Sequence, residues 1–576
     1  MISKNWNILE KASQDFISRF SQYNSTILQL LYNRKIDTKD KIDKFYNSSY
    51  ADLHDPLLFK DMDRALERIE KAMDAGERVG IYGDYDADGV TSSIVLTEIF
   101  KKVLSLSGQI YIPDRAREGY GLNKKAIDWL IKKDIKLIVT CDCGVANKEE
   151  IDYAISKGVD VIVFDHHHLS EEFSNDYIIV NAKQKSDKYP YKELSGVGIV
   201  FKLAQAIFRS EIIEKTKTDY KDNKDLQNEF EKSLLDLVAI GTIADCSPLT
   251  GENRILVQEG LKILAKTKRQ GFMAIAKSAS VDLSNVDSFG VGFYLAPRIN
   301  SAGRLDHANA AYKLLITESY GIAKLLSYQL ELSNRKRQKI TEKIFREIKK
   351  DLDLSRKVLI AHNEDWPLGV LGIVASKLCE EYFKPTLVLT KGKKESSGSA
   401  RSIPSFNIIE AINECKDLLL EFGGHSGAAG CSLVNENIEK FSDKINKIAD
   451  EKLNNEDLIP KIDIEAEINL EDINWELYNE LEKLKPFGAN NEKPLFKASN
   501  VQVMSFDRIG RGKDHLKLML CNRDGKGQIE GVYFNIKSAK LKELENDIDL
   551  VFEIDCNEWG GKKDLQLRVV DFRRAK

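Results

Sequence analysis

The chain has 576 residues and a formal net charge of −4 at pH 7, from 86 lysines and arginines against 90 aspartates and glutamates. Its 42% hydrophobic and 31% charged residues are typical of a globular protein, and its length requires several domains because single cores stop growing at about 250–300 residues. No apolar run approaches the roughly 18 residues of a membrane span, so we expect no membrane association. The near-balanced charge excludes a uniformly basic surface but allows local basic patches.

Two features favour a cytoplasmic setting. The first seven residues lack the apolar segment of a secretory signal. The eight cysteines are scattered, and a lone close pair, Cys141 and Cys143, is weak support for a zinc site. Scattered cysteines are typical of a reducing compartment, so we expect a cytoplasmic protein.

Short apolar strands alternate with helices between residues 78 and 182. A helical stretch follows at 196–278. Strands that alternate with helices favour a mostly parallel α/β sheet. The predicted strands lie at 78–82, 109–112, 136–140, 161–164 and 177–180.

One long helix is predicted over residues 319–352. Apolar residues recur there at helical spacings, at positions 325, 332, 340, 344 and 348. At about 1.5 Å per residue it would reach roughly 50 Å, a length that suits a connector between domains. The simplest interpretation of the basic residues near its middle is a solvated face. They are Arg335, Lys336, Arg337, Lys339 and Lys343.

Two further units are predicted after this helix. Residues 355–453 again combine strands with helices, and the tail from 456 is rich in strands and turns. Leu516, Leu518 and Leu520 alternate with other residues as in a half-buried strand, and hairpin signals occur at 524–525 and 560–561. We therefore expect a small β-barrel at the end of the chain.

An acidic loop bounded by glycines follows the first predicted strand, at residues 83–89. It contains Asp84, Asp86 and Asp88. Three carboxylates within five positions repel one another unless a cation neutralises them. A calcium EF-hand would need flanking helices and later ligands, whereas this loop follows a strand. A solvated acidic turn is the other interpretation.

Further polar groups follow the next predicted strands. Asp142 comes after the third strand, and Asp165-His166-His167-His168 comes after the fourth. The carboxyl ends of parallel strands meet at one edge of a sheet, where such sheets bind ligands. A lone aspartate there is more often a helix N-cap, but several groups converging on one edge favour a ligand set. A further candidate, ambiguous alone, is Asp245.

These groups provide roughly five carboxylates and two or three imidazoles, enough for two divalent ions a few Å apart. Oxygen-rich ligation with one or two histidines favours Mn²⁺ or Mg²⁺ over a thiolate zinc site. Such a metal pair activates a bridging water and stabilises an in-line phosphoryl transition state. The pattern therefore predicts metal-dependent hydrolysis of a phosphate ester.

In order and spacing these motifs resemble those of the DHH phosphoesterases, at residues 83–92, 142, 165–167 and 241–245. Residues 422–430 resemble the GGHxxAAG signature of the associated DHHA1 domain. The match is closer still to the RecJ family of single-strand-specific 5′→3′ exonucleases, and it covers essentially the whole chain. The supporting stretches are 118–122, 297–304, 398–402 and 485–488.

The resemblance implies a role for particular residues. His167 would lie beside the scissile phosphate, Asp142 would act at the metal centre, and Asp165 would orient a histidine. No direct role is implied for His168. Two Mn²⁺ or Mg²⁺ ions would be held by Asp84, Asp86, Asp88, Asp142, His166 and Asp245. Phosphate groups would be bound by Arg115, Arg304, Ser399, Arg401, Gly424 and His425.

The resemblance also implies the domain organisation. The predicted fold class is α/β, with a parallel-sheet DHH domain and a smaller α/β DHHA1 domain joined by a long helix, plus a C-terminal OB-type β-barrel. The predicted segments are 1–318 (N-terminal segment and DHH domain), 319–352 (connecting helix), 353–455 (DHHA1 domain) and 456–576 (OB-type domain). Aromatic residues of the barrel could stack on bases, although core packing is the commoner role. They are Phe496, Phe506, Tyr533 and Trp559.

The resemblance therefore implies a monomeric exonuclease that hydrolyses single-stranded DNA from its 5′ end to 5′-mononucleotides, in DNA repair and recombination. Partners implied by the family are a single-strand-binding protein and a helicase. One alternative is a small-substrate relative acting on pyrophosphate, cyclic dinucleotides or very short RNA, which would not need the β-rich tail. The other is an inactive DNA-binding replication scaffold, which would have damaged metal motifs, whereas the motifs here are intact.

Overall fold

The computed structural model describes residues 4–115, 117–169, 173–305, 307–536 and 538–575. None of the helices in these ranges combines the length and apolarity of a membrane span. The chain forms two compact units. The larger unit contains Ser49–Asn454 and Gly488–Asn490, and the smaller unit contains Met1–Ser48, Asn455–Phe487 and Asn491–Lys576.

The strands of the described ranges form four sheets. In chain order they are β1 (Asn5–Ile8), β2 (Arg78–Gly83), β3 (Gly108–Tyr111), β4 (Ile135–Cys141), β5 (Asp160–Phe164), β6 (Ile178–Val180), β7 (Leu359–Asn363), β8 (Thr386–Lys391), β9 (Glu395–Arg401), β10 (Glu421–His425), β11 (Ala428–Val434), β12 (Lys461–Ile464), β13 (Ala466–Glu467), β14 (Phe496–Ile509), β15 (His515–Asn522), β16 (Ile529–Tyr533), β17 (Ile548–Trp559) and β18 (Lys562–Arg574).

The α-helices flank these sheets. In chain order they are α1 (Gln14–Arg19), α2 (Ser25–Asn33), α3 (Lys39–Asn47), α4 (Met62–Asp74), α5 (Ala87–Glu98), α6 (Lys124–Ile131), α7 (Lys148–Ser156), α8 (Gly196–Arg209), α9 (Lys224–Ala244), α10 (Gly251–Leu264), α11 (Gln270–Ala279), α12 (Ser288–Gly290), α13 (Ala296–Leu305), α14 (Asn309–Ile316), α15 (Tyr320–Asp351), α16 (Leu368–Tyr382), α17 (Ile408–Asn413), α18 (Ile438–Lys452) and α19 (Trp475–Glu482).

The first sheet of the larger unit is parallel throughout, with strand order β3-β2-β4-β5-β6. Its strands are apolar on both faces because each face is covered. Leu137 and Val139 of β4 belong to the core that contains α5 and α8, whereas Ile138 belongs to the core that contains α6 and α7. The predicted parallel α/β sheet is confirmed, and the carboxyl ends of β2, β4 and β5 lie side by side.

The long helix α15 has 32 residues, or about 48 Å, and the predicted connecting helix is confirmed. The Ser319 side chain caps its first turn by accepting a hydrogen bond from Ile322 N. Ser327 Oγ donates to the Ala274 carbonyl of α11, 2.9 Å away. Farther along, Ile344 shares a core with Val370 of α16. The helix therefore joins the first α/β layer to the second.

The second sheet of the larger unit has strand order β10-β11-β9-β8-β7. Strands β7 and β8 are parallel, and the other pairs are antiparallel. Helix α16 packs against β8 and β9. This arrangement is the predicted smaller α/β domain, and its strands β9 and β10 carry four of the six predicted phosphate-binding residues.

The smaller unit contains a closed barrel. Its strands follow the order β14-β15-β16-β18-β17, and β17 pairs back with β14. Gly560 and Gly561 form the two-residue turn from β17 to β18, with φ angles of 60° and 79° that favour glycine. Leu516 and Leu518 of β15 are buried while Lys517 is exposed. The predicted OB-type β-barrel is confirmed.

The barrel aromatics divide between core and surface. Phe496 and Tyr533 are buried, which leaves neither face free for a base. Phe506 is exposed and keeps its predicted role as a stacking candidate. The side chain of Trp559 lies outside the described residues.

The first 48 residues differ from the expectation that grouped them with the DHH domain, because they belong to the smaller unit. Strand β1 pairs in parallel with β12, and Phe16 and Ile27 share a core with Leu518. These partners are far apart in the chain, so no local pattern could indicate the contact. The other predicted segment boundaries stay predictions.

Candidate metal centre and phosphate site

The edge formed by β2, β4 and β5 gathers the six residues predicted to hold metal. Asp84, Asp142 and His166 follow parallel strands, so the sheet places them together, while the start of α5 brings Asp88 and the end of α9 brings Asp245 to the same edge. Ligand atoms lie within 4.8 Å of one another in three groups. These groups are Asp84, Asp86 and Asp142; Asp142, His166 and His167; and Asp88, His166 and Asp245.

Close backbone packing positions the carboxylates. Asp86 is the N-cap of α5, and its Oδ1 accepts hydrogen bonds from Asp88 N and Gly89 N, both at 3.0 Å. Asp88 accepts hydrogen bonds from Gly196 N at 2.8 Å and Val197 N at 2.9 Å. Those amides form the N-terminus of α8, which attracts negative charge. Asp86 therefore caps the helix through one carboxylate oxygen and also belongs to a candidate ligand group.

The unpaired atoms of this centre fit a divalent cation. Within the described residues, three buried atoms of the centre have no hydrogen-bond partner: Asp84 Oδ1, Asp142 Oδ1 and His166 Nε2. Asp142 Oδ1 and His166 Nε2 lie 3.2 Å apart without hydrogen-bond geometry. An unpaired buried polar group costs about 1–3 kcal/mol, which coordination to a cation would remove. Oxygen and imidazole donors suit Mn²⁺ or Mg²⁺.

The charges of the centre lead to the same conclusion. Burial raises the pKa of Asp84, Asp88 and Asp142 well above the usual range, and repulsion among the neighbouring carboxylates adds to the shift. Burial is also the main reason that the pKa of Asp245 rises to about 6. A divalent cation would offset this repulsion and keep the carboxylates ionised.

The two central histidines differ. Burial lowers the pKa of His166 to about 3, and the neighbouring His167 adds to the effect, so His166 is a neutral imidazole suited to metal binding. His167 Nδ1 lies 2.8 Å from Asp165 Oδ1. Burial alone would lower the pKa of His167, but this hydrogen bond and the charge of Asp165 raise it to about 9. His167 is thus suited to a phosphate rather than to a cation.

Gly196 permits the approach of α8 to the metal centre. A Cβ atom at this position would lie 2.7 Å from Asp142 Oδ1. We expect Gly196→Ala to displace that carboxylate, cost about 1–3 kcal/mol of stability and weaken Mn²⁺ binding. Titration calorimetry with Mn²⁺ and thermal unfolding would measure both effects. The matched control is Gly108→Ala in β3, where the nearest atom to the new Cβ is 3.6 Å away; equal effects in both variants would contradict the prediction.

The predicted phosphate-binding arginines lie close to this centre and to one another. Arg304 Nη1 donates to the Gly369 carbonyl of α16, 3.2 Å away. Burial and the nearby charge of Arg115 lower the pKa of Arg304 to about 10. Burial, followed by Arg115, also lowers the pKa of Arg401. In the described part of the chain none of the three forms an ion pair with a carboxylate, so together they favour an anion.

The other predicted phosphate contacts come from β9 and β10. Ser399 Oγ accepts a hydrogen bond from Arg401 Nη1 at 2.9 Å. Gly424 has a φ of 146°, and a Cβ atom there would lie 2.4 Å from the Ala428 carbonyl. His425 is exposed, and its ring lies 6.0 Å from that of His168. The second sheet therefore approaches the His166–His168 segment of the first sheet through His425.

Two contacts at the centre were not assigned from the sequence. Tyr120 Oη lies 3.1 Å from both His167 Nδ1 and the Asp142 carbonyl oxygen. Asn300 Oδ1 accepts a hydrogen bond from Ala87 N at 2.7 Å, which fixes the start of α5. Both residues belong to stretches that carry the family resemblance, 118–122 and 297–304. Their place in these stretches is the sequence signal that could have indicated a role at the centre.

Three family models match consecutive parts of the chain. The model of the DHH family N-terminal domain matches residues 78–242, that of the DHHA1 domain matches 355–451, and that of the RecJ OB domain matches 464–571.

Named relatives support the same assignment. The single-stranded-DNA-specific exonuclease RecJ of Bacillus subtilis is 36% identical over 98% of this chain and 70% of its own length. The manganese complex of RecJ from Thermus thermophilus has a TM-score of 0.83 at 24% identity, covering 99% of this chain and 80% of that chain. A manganese-bound exonuclease RecJ has a TM-score of 0.58 at 30% identity, covering 68% of this chain and 95% of that chain. The chain belongs to the RecJ family of single-stranded-DNA-specific exonucleases.

Proposed function

We propose that this protein is a metal-dependent exonuclease that hydrolyses single-stranded DNA from its 5′ end and releases 5′-mononucleotides. The observation that carries the proposal is the pairing of two sites. Buried carboxylates and a neutral histidine with unpaired atoms lie next to arginines that have no carboxylate partner among the described residues. The first set suits divalent cations and the second suits the phosphate of a substrate.

Different residues of the chain would have different roles in hydrolysis. Asp84, Asp86, Asp88, Asp142, His166 and Asp245 would hold two Mn²⁺ or Mg²⁺ ions. When bound, such ions lower the pKa of a water and stabilise the negative charge that develops on the phosphate. The rigid sheet edge would keep these ligands in place, because their backbones are fixed by β2, β4, β5, α5 and α9.

His167 and the arginines would act on the phosphate. The Asp165 carboxylate accepts from His167 N at 3.1 Å and lies against His167 Nδ1, so it fixes the ring and keeps it protonated. A protonated imidazole can donate to a phosphate oxygen or to the leaving oxygen. Arg304 and Arg401 would orient the phosphate through their guanidinium groups.

The preference for a single strand would follow from the cleft between the two sheets of the larger unit. The Arg304 contact with Gly369 and the 6.0 Å separation of the His168 and His425 rings keep the opposing sides close together. A cleft of this kind admits one strand more readily than a duplex, which is much wider.

The polarity and product can be tested with strands labelled at one end. With Mn²⁺, a 5′ label should appear at once as a mononucleotide, whereas a 3′ label should pass through a ladder of shortening strands. A blunt duplex of the same sequence should be degraded much more slowly. Ladders from the 5′-labelled strand, or equal rates on the duplex, would contradict the proposal.

The alternatives are less well supported. A small-substrate phosphodiesterase would not need the closed barrel, and an inactive scaffold would not need an intact ligand set. We further propose that the protein is monomeric and cytoplasmic and acts in DNA repair and recombination with a single-strand-binding protein and a helicase. A DNA substrate and eight cysteines without a disulfide, all within the described ranges, support the cytoplasmic setting.

A further inference from the structure

A basic cavity of about 920 Å³ lies between α15 and α16, outside the ligand set described above. Two carboxylates, Glu342 and Glu347, contribute to its lining. Six cationic side chains outnumber them: Arg337, Lys339, Lys343, Arg346, Lys350 and Lys377. The cavity therefore favours an anion.

Ion pairs neutralise only part of this charge. Glu342 pairs with Arg346 at 3.0 Å and with Lys377 at 3.2 Å, and Glu347 lies 3.6 Å from Lys343. Within the described residues, no ion pair involves the other three cations. They are Arg337, Lys339 and Lys350.

Two polar atoms of the cavity lining are buried without a partner. Thr341 is only 3% exposed, and its Oγ1 has no hydrogen-bond partner among the described residues. The same holds for Arg337 Nε, although Arg337 Nη2 donates to Asn334 Oδ1 at 2.9 Å. Unpaired buried donors are costly, so this pair points to a ligand rich in acceptor oxygens.

The cavity lies near the phosphate-binding arginines. Gly372 of α16 packs against Arg401 and Ser399, since a Cβ atom there would lie 3.0 Å from Arg401 Nη2. The next residue, Ile373, lines the cavity. On the α15 side of the cavity, the charge of Arg337 contributes to the lowered pKa of Arg304.

The length of the cavity indicates what kind of anion it fits. Its lining runs along α15 from residue 337 to residue 350, which corresponds to about 20 Å of helix. A row of cations of this length suits several successive phosphates better than a single one. We propose that this cavity binds the phosphodiester backbone of a single strand away from the metal centre. The identity of the ligand rests on the proposed function.

The test compares strand binding by two triple variants. The cavity variant is Arg337→Gln/Lys339→Gln/Lys350→Gln. The control, Lys313→Gln/Lys324→Gln/Lys336→Gln, removes the same charge from exposed positions outside the cavity. Fluorescence anisotropy would give the Kd of a labelled single strand, long enough to span both sites, across a range of salt concentrations. A chelator would prevent cleavage, so the measurement does not depend on hydrolysis.

The cavity variant should lower the slope of log Kd against log salt by about 2, since each phosphate contact on a single strand contributes about 0.7. Its affinity near 0.1 M salt should fall on the order of 10- to 100-fold. The control should change far less, and a dinucleotide should bind all proteins equally. An unchanged slope in the cavity variant would overturn the proposal.

Two further measurements distinguish a failure of the cavity proposal from a folding defect and from a failure of the proposed function. Competition with a 5′-mononucleotide would reveal a site for free nucleotide: loss of that competition with an unchanged strand slope would assign the cavity to a mononucleotide and overturn the strand proposal. The double variant Lys339→Gln/Lys350→Gln changes only exposed residues and should show about two thirds of the effect if Arg337→Gln harms folding. Wild-type protein that binds strands but never cuts them would refute the proposed function alone.

Discussion

Replacement of Asp142 by asparagine should abolish hydrolysis of single-stranded DNA, with kcat/KM lowered by at least about 10³-fold. Asp142 belongs to two of the three ligand groups, so its loss should affect both metal positions. Its buried Oδ1 without a hydrogen-bond partner is the strongest sign of coordination. The variant should still fold, because the asparagine side chain has the same shape.

The measurement should include metal binding as well as activity. Saturating Mn²⁺ at 100 times its Kd would stabilise the wild type by about 2.7 kcal/mol, and Asp142→Asn should lose most of this gain in thermal unfolding. The matched control is Asp160→Asn in β5, an exposed carboxylate that pairs with Arg68 and lies at the opposite end of the strand. Full activity and full Mn²⁺ stabilisation in Asp142→Asn would remove this residue from the site.

Much of the metal centre could be predicted because its signals are local. Asp84, Asp142 and His166 each follow an apolar run that becomes a strand, and the direction of parallel strands fixes their common edge. The long helix was equally predictable, because apolar residues recur along it at helical spacing. In these cases a few neighbouring residues carry the whole signal.

Other features depend on contacts that leave no local pattern. The pairing of β1 with β12 joins segments that are separated by most of the chain. The hydrogen bonds from Gly196 N and Val197 N to Asp88 depend on how α8 meets the sheet. The charges of α15 suggested a solvated face, but Arg337 is partly buried in a cavity that only the packing of α16 creates. Tertiary packing decides each of these cases.

Replacement of His167 by glutamine should separate catalysis from metal binding. Loss of a positioned proton donor should lower kcat by about 10²- to 10⁴-fold. Mn²⁺ stabilisation should persist, because His167 engages Asp165 at 2.8 Å whereas His166 is neutral and has an unpaired Nε2. His166→Gln should therefore show the opposite pattern and lose Mn²⁺ stabilisation together with activity.

Substitution of His168 is the control for the changes at His166 and His167. His168 is exposed and lies beside His425 rather than at the metal centre, so His168→Gln should keep both activity and Mn²⁺ stabilisation. Single-turnover rates and Mn²⁺-dependent unfolding would be compared for all three variants. Because one of the three ligand groups includes His167, loss of Mn²⁺ stabilisation in His167→Gln would show that it is a ligand. Asp165 would then orient a metal ligand, and the proton donor would have to be sought elsewhere.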